Sequence, residues 1–150
     1  MMLVDANLLI YAYNPAAEQH AAAKHWFEAT VSGPVPVRLA WTSVMAFVRI
    51  MTNPQLFRRP LTPAEAVAVV DGWLDHPGIA LLEPGERHWS ILRSLLVDGQ
   101  ASGPLAMDAH LAALAIEHGA TLCTTDRDFA RFQDLSSVDP IANDRRQNAI

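Results

Sequence analysis

Short apolar runs of strand length recur along this chain, and all but the last two are separated by a stretch long enough to hold a helix. That alternation limits the possible folds more than any other feature. The runs are MLVD at 2–5, VRLAW at 37–41, IALLE at 79–83, ATLCTT at 120–125 and SSVD at 136–139. Short, mostly apolar runs without strict polar alternation read as strands buried on both faces. Chains that alternate such strands with helices form parallel sheets joined by right-handed crossovers. The expectation is therefore an α/β fold, a mostly parallel central sheet of four to five strands with helices on both faces.

Between the runs the apolar period changes to that of a helix. Ala23, Trp26, Phe27 and Thr30 share one helical face, and Gly33-Pro34 stops that segment. Val44, Phe47, Val48 and Met51 repeat as i, i+3, i+4, i+7, and Pro54 ends the pattern. The sharpest local signal is LTPAEAVAVVDGWLDHPG: Thr62 can cap a helix, Pro63 suits its first position, Glu65 completes a capping box, and His76-Pro77-Gly78 closes it. Trp89, Leu92, Leu95 and Leu96 mark a further helix ending near Gly99. Met107, Leu111, Leu114 and Ala115 stripe a last one that runs to Gly119.

With 150 residues, 51% of them hydrophobic, the chain can bury a core of its own, and the expected organisation is one domain over 1–140 with a flexible tail at 141–150. The single cysteine, Cys123, has no partner for an internal disulfide and reads as a buried thiol in a reducing compartment. No apolar run approaches the ~20 residues of a membrane span, and the N-terminus has no basic region and an acid at position 5, so a cytoplasmic protein is expected. The net charge of −5 argues against nucleic-acid binding through bulk positive charge. It does not exclude a nuclease whose clustered acids are offset by bound cations. The six histidines contain no His-x-x-x-His pair, which leaves zinc without support.

In open parallel sheets the functional site lies beyond the carboxyl ends of the strands. Asp5 closes the first strand run, Asp126 follows the fourth, and Asp108 opens the helix that feeds into it. On that helix Ala112 and Ala115 form a small-residue face that lets it approach the sheet. Asp126 and Asp128 are two like charges two residues apart; on an extended segment they would project to one side ~6–7 Å apart, which suits carboxylates sharing a hydrated cation. Phe129 would anchor the turn in the core. Taken singly, each acid has a plainer reading: Asp108 as a helix cap, Asp5 as a strand-end residue, Asp126 as an Asx-turn. Asn7 supports Asp5 or caps the following helix. Tyr11, Tyr13 and Trp41 read as packing residues before stacking platforms.

VDANLLIYA at 4–12 and MDAHLAALAIEHGATLCTTDRDFARF at 107–132 resemble the PIN-domain ribonucleases, specifically the VapC-type toxins, and TNP at 52–54 and RPLTPAEA at 59–66 resemble one VapC subgroup. The resemblance implies a PIN-like three-layer fold and a Mg²⁺-dependent endoribonuclease, with Mn²⁺ as an alternative ion. Such an enzyme hydrolyses RNA phosphodiester bonds by metal-activated water and is the toxin of a type II toxin–antitoxin pair. It further implies a cognate VapB-type antitoxin and a homodimer. Carried over residue by residue, the catalytic acids are Asp5, Asp108, Asp126 and Asp128, the first three as metal ligands. Beside them Asn7, Ser43, Arg49 and Thr125 are candidates for supporting or substrate-contacting residues.

One departure stands out. Where the family carries a glutamate on its second helix, the stretch MAFVRI has Ala46, with Ser43 one turn earlier and Thr42 just before it. Either hydroxyl could hold a water in the carboxylate's place. The departure keeps open a catalytically weak or inactive PIN-fold module that binds RNA or protein. A phosphohydrolase with an aspartyl nucleophile is disfavoured, because the D-x-D such enzymes carry at the first strand is absent from VDANLL.

Overall fold

The computed structural model describes residues 1–142 of the chain. The elements in order are β1 (Met2–Val4), α1 (Ala6–Tyr13), α2 (His20–Val31), β2 (Val37–Ala40), α3 (Trp41–Met51), α4 (Pro63–Asp75), β3 (Ile79–Leu82), α5 (His88–Asp98), α6 (Leu105–His118), β4 (Thr121–Cys123), a short 3-10 helix (Arg127–Arg131) and β5 (Ser137–Val138). The five strands form one sheet in the order β3-β2-β1-β4-β5, and every pairing is parallel. All five expected strands are present, each shorter than its apolar run, and at β1 and β2 this is because the flanking residue caps or starts a helix. Asp5 is the N-cap of α1, and Trp41 is the first residue of α3.

Successive strand residues point to opposite faces, so both faces must be covered. Leu3, Ala40, Leu82 and Leu122 face α5, α6 and the 3-10 helix. Val4, Leu39 and Cys123 face the layer built by α1 to α4. That second layer is centred on Phe47, fully buried, whose ring meets Trp73 at 4.7 Å and Tyr13 at 5.6 Å, both edge-on. Truncating such a residue to alanine typically costs ~3–5 kcal/mol. Burial also pushes the Cys123 thiol up to about 11, which leaves it unreactive, as its surroundings implied.

The helix ends follow their local chemistry. Glu65 N donates to Thr62 Oγ1 at 3.1 Å and Thr62 N to Glu65 Oε1 at 3.0 Å, so the capping box is formed at both ends. Gly119 ends α6 with φ 65°, a left-handed conformation that glycine adopts without strain. Two expected stripe residues lie outside the core instead: Trp89 is 64% exposed and Met107 56%. On α5 the buried residues are His88 and Leu95; His88 Nε2 lies 2.9 Å from His110 Nδ1 on α6, and with His88 turned inward the next residue, Trp89, faces outward. The expected tail at 141–150 falls mostly outside the described residues; Ile141, its first residue, is buried against the α1–α4 layer. Among the described residues no helix is long and apolar enough to cross a membrane.

Candidate active site

β1 and β4 are neighbours with Val4 opposite Cys123, so both strands end side by side. The chain leaves β1 toward β2 and β3 on one side and returns to β4 on the other, which opens a crevice at the carboxyl edge. Asp5 N donates to Cys123 O at 3.0 Å and pins the end of β1 to that of β4. The Asp5 carboxylate is then held from two sides: Ala6 N donates to Oδ1 at 2.7 Å and Thr124 Oγ1 donates to Oδ2 at 2.8 Å. Thr124 Oγ1 also accepts from Asp126 N at 3.0 Å, so one buried hydroxyl links the two acids.

Asn7 neither caps α1 nor bonds to Asp5. Its Nδ2 donates to Thr125 Oγ1 at 2.9 Å and more distantly to Thr124 Oγ1 at 3.4 Å, stapling the first turn of α1 to the loop after β4. Its Oδ1 is buried without a hydrogen-bond partner. Thr125 is thus a structural acceptor, and Thr124 beside it carries the link to the acids. A threonine two residues before an aspartate is a turn signal that could have revealed it.

The segment Asp126–Asp128 is not extended. Asp126 caps the 3-10 helix, its Oδ1 accepting from Asp128 N at 2.9 Å, because an aspartate side chain readily replaces the next backbone acceptor in a turn. The turn brings Asp128 round toward α6 instead of leaving it parallel to Asp126. Asp108 is not the helix cap either. It is the fourth residue of α6, whose N-cap is Pro104.

Asp108, Asp126 and Asp128 each offer one carboxylate oxygen, and the three oxygens lie within 4.8 Å of one another. Asp5 is outside this triad, although its charge acts on Asp108. The electrostatic consequence is largest at Asp108, whose pKa is raised from 3.8 to about 6 by burial and then by the charges of Asp126, Asp5 and Asp128. Arg131 opposes that rise. Burial also raises Asp5, against the hydrogen bonds from Thr124 and Ala6, while the Asp126 charge adds to the rise. Among the described residues none of the four acids has a direct ion pair. An all-oxygen donor set that repels itself and has no direct ion pair suits a hard divalent cation.

A cleft of about 490 Å³ opens beside the acids, between α3 and α6. Asp5 and Asp108 line it together with Trp41, Thr42, Ser43, Met45, Ala46 and Arg49 of α3 and Met107 and Leu111 of α6. Position 46 therefore shares the cleft with two of the acids. Ser43 is buried in the same wall, and Arg49 is exposed at it. Trp41, expected in packing, is 47% exposed on the cleft. On the other side, the Arg131 guanidinium is fixed by donating from Nε to Asp128 O at 3.2 Å and from Nη1 to Gly99 O at 3.1 Å.

A parallel sheet with acids gathered at the ends of its central strands defines a nuclease-like α/β domain, and the PIN domain matches residues 2–135 of the chain. Ribonuclease VapC37 of Mycobacterium tuberculosis is 41% identical over 142 residues, covering 95% of this chain and 99% of that protein. VapC ribonuclease Mb2897 of Mycobacterium bovis is 38% identical over 141 residues, covering 94% and 96%. The chain belongs to the PIN-domain family, and within it to the VapC ribonucleases. Among solved structures it is similar to Mycobacterium tuberculosis VapC20, described as a toxin that cleaves the sarcin-ricin loop, with a TM-score of 0.66 and 17% identity over 91% of this chain and 99% of that one. It is also similar to VapBC2 of Rickettsia felis bound to a promoter DNA fragment, with a TM-score of 0.65 and 15% identity over 91% and 96%. At those identities the likeness bears on the fold, and it agrees with the expected PIN-like three-layer architecture.

Proposed function

We propose that the protein is a divalent-metal-dependent endoribonuclease, using Mg²⁺ or Mn²⁺, and the toxin of a type II toxin–antitoxin pair working in the cytoplasm. The observation that carries this reading is the gathering of Asp108, Asp126 and Asp128 within 4.8 Å, beside Asp5, at the carboxyl edge of a parallel sheet. When bound there, the cation supplies a Lewis acid for the phosphate and lowers the pKa of a water that cleaves it. The chain's own residues do the rest. Ala6 N and Thr124 Oγ1 lock the Asp5 carboxylate in one orientation. Asp126 uses Oδ1 in its turn, which fixes its carboxylate beside Asp108 and Asp128. Arg49 and Arg131 flank the acids and supply positive charge for the phosphates on either side of the cleaved bond.

A VapB-type antitoxin fits the same electrostatics: uncompensated carboxylates attract an arginine or lysine, and a segment supplying one also blocks the substrate. A homodimer is the proposed assembly. Ala46 favours one variant of this reading, an enzyme of low metal affinity, since a carboxylate is lost from a wall shared with Asp5 and Asp108. The test is cleavage of total bacterial RNA by the purified protein with Mn²⁺, with EDTA, and for Asp5→Asn and Asp108→Asn. Expected are cleavage with Mn²⁺, none with EDTA, and at least a hundredfold loss in both variants, which should also fail to arrest growth on induction. Full activity in either folded variant would remove the assigned site.

A further inference from the structure

Trp41, Met45 and Arg49 sit at i, i+4 and i+8 of α3, so they form one stripe along the helix, and all three line the cleft that Asp5 and Asp108 also line. The stripe runs from an aromatic face through a thioether to a guanidinium. Met107 faces it from α6. Trp41 is 47% exposed and Met45 58%, while the aromatics Tyr13, Phe27, Phe47 and Trp73 meet one another edge-on inside the α1–α4 layer. Nothing in the core requires a tryptophan at the start of α3.

We infer that Trp41 is the platform on which an unpaired base of the RNA substrate stacks, directly beside the phosphodiester that is cut. The inference rests on the ribonuclease reading and adds the residue that selects where cleavage falls. The occupant follows from what the cleft puts together. An indole face beside sulfur and methyl groups offers a π surface of the kind on which unpaired bases stack, and the cleft volume of about 490 Å³ lies within the ~300–1,000 Å³ of sites that enclose small organic groups. Arg49, two turns along the same stripe, is placed for the next phosphate, and the carboxylates lie across the cleft for the scissile one. A base inside a duplex cannot present its face, so stacking on Trp41 selects single-stranded or looped RNA. Because every base has such a face, the platform fixes position on the strand more than base identity. A protein partner that uses the same apolar rim is the rival occupant.

The test begins by cleaving total bacterial RNA with wild-type protein and Mn²⁺ and mapping the cut. A short oligonucleotide spanning it is then made in three forms: intact, and lacking the base on one side or the other of the cut. Trp41→Ala is expected to lower kcat/KM on the intact oligonucleotide roughly five- to 150-fold, the usual effect of deleting one base-stacking residue. Trp41→Phe should stay within about threefold of wild type, since it keeps an aromatic face. Removing one of the two flanking bases should lower wild-type activity by a similar factor, and Trp41→Ala should then cost nothing further. Quenching of tryptophan fluorescence by the intact oligonucleotide should shrink in Trp41→Phe. Unchanged cleavage by Trp41→Ala overturns the inference and leaves the ribonuclease reading in place. So does a loss in Trp41→Ala that neither missing base reproduces, or a variant that cleaves normally but escapes neutralisation by its antitoxin. If wild-type protein cuts no RNA with Mn²⁺, the ribonuclease reading itself fails, and this inference with it.

Discussion

Removing a carboxylate from this site should stabilise the metal-free protein, the reverse of what most substitutions do. In Asp108→Asn the shape of the side chain is kept and its charge is lost. The Asp108 pKa is raised from 3.8 to about 6. At ~1.36 kcal/mol per unit the full penalty for ionising it in the fold would be ~3 kcal/mol. Asp108 is only half-buried, so solvent screening reduces that to ~1 kcal/mol. Loss of a negative charge in the first turn of α6 returns a few tenths of a kcal/mol. At ~2–4 °C per kcal/mol for a chain of this size, Asp108→Asn should melt ~1–3 °C higher than wild type in EDTA at pH 7.5. The sign with pH is fixed by the upward shift. Stability from the protonated Asp108 is fully present below the unfolded pKa, near 3.8, and is lost as pH rises through about 6. The two proteins should therefore converge near pH 4 and separate by pH 7. Saturating Mn²⁺ should reverse the order, since a ligand at a hundred times its Kd adds ~2.7 kcal/mol to the protein that binds it. Scanning calorimetry at several pH values, with EDTA or Mn²⁺, reads all of this. A lower melting temperature for Asp108→Asn in EDTA at pH 7.5, with equal stabilisation of both proteins by Mn²⁺, would refute the reasoning.

Thr124→Val removes the donor to Asp5 Oδ2 and the acceptor for Asp126 N without changing side-chain volume much. Leaving those groups unpaired should cost ~1–3 kcal/mol in a urea titration and lower RNA cleavage at least tenfold, and an unchanged midpoint with unchanged activity would show that Thr124 orients nothing. Ala46→Glu places a carboxylate on the cleft wall shared with Asp5 and Asp108 and should tighten Mn²⁺ binding severalfold by titration calorimetry. If affinity is unchanged or weaker in the folded variant, position 46 does not face the cation.

The parts of this protein that could be read in the sequence are those set by periodicity and by parallel pairing. Strands buried on both faces advertise themselves as unbroken apolar runs, and a parallel register necessarily brings residues just past β1 and β4 to one edge. Asp5 and Asp126 were therefore placed together by topology alone, and β1 pairing Val4 with Cys123 is that placement in atomic detail. What escaped was set by single hydrogen bonds. The bond from Asp128 N to Asp126 Oδ1 turns an expected extended segment into a 3-10 turn, and with it changes which three acids lie closest. Asn7 looked like a cap because caps and staples use the same amide, and only the position of Thr125 across the sheet decides between them.

Trp89 and Trp41 make the same point about exposure. Both fall at positions where helical spacing permits burial, and both are on the surface, for different reasons. On α5 the place inside is taken by His88 through its contact with His110, so Trp89 is displaced by a neighbour's chemistry. On α3 the inward stripe of Val44, Phe47 and Met51 is complete without Trp41. Its exposure is thus not a packing compromise, and it falls on a wall of the cleft that Asp5 and Asp108 also line. Single exposed apolar side chains are ordinary at a protein surface, and Trp89 is more exposed than Trp41. What separates the two is place: Trp41 lines the cleft that Asp5 and Asp108 also line, and this is why a role in substrate placement is assigned to Trp41 and none to Trp89.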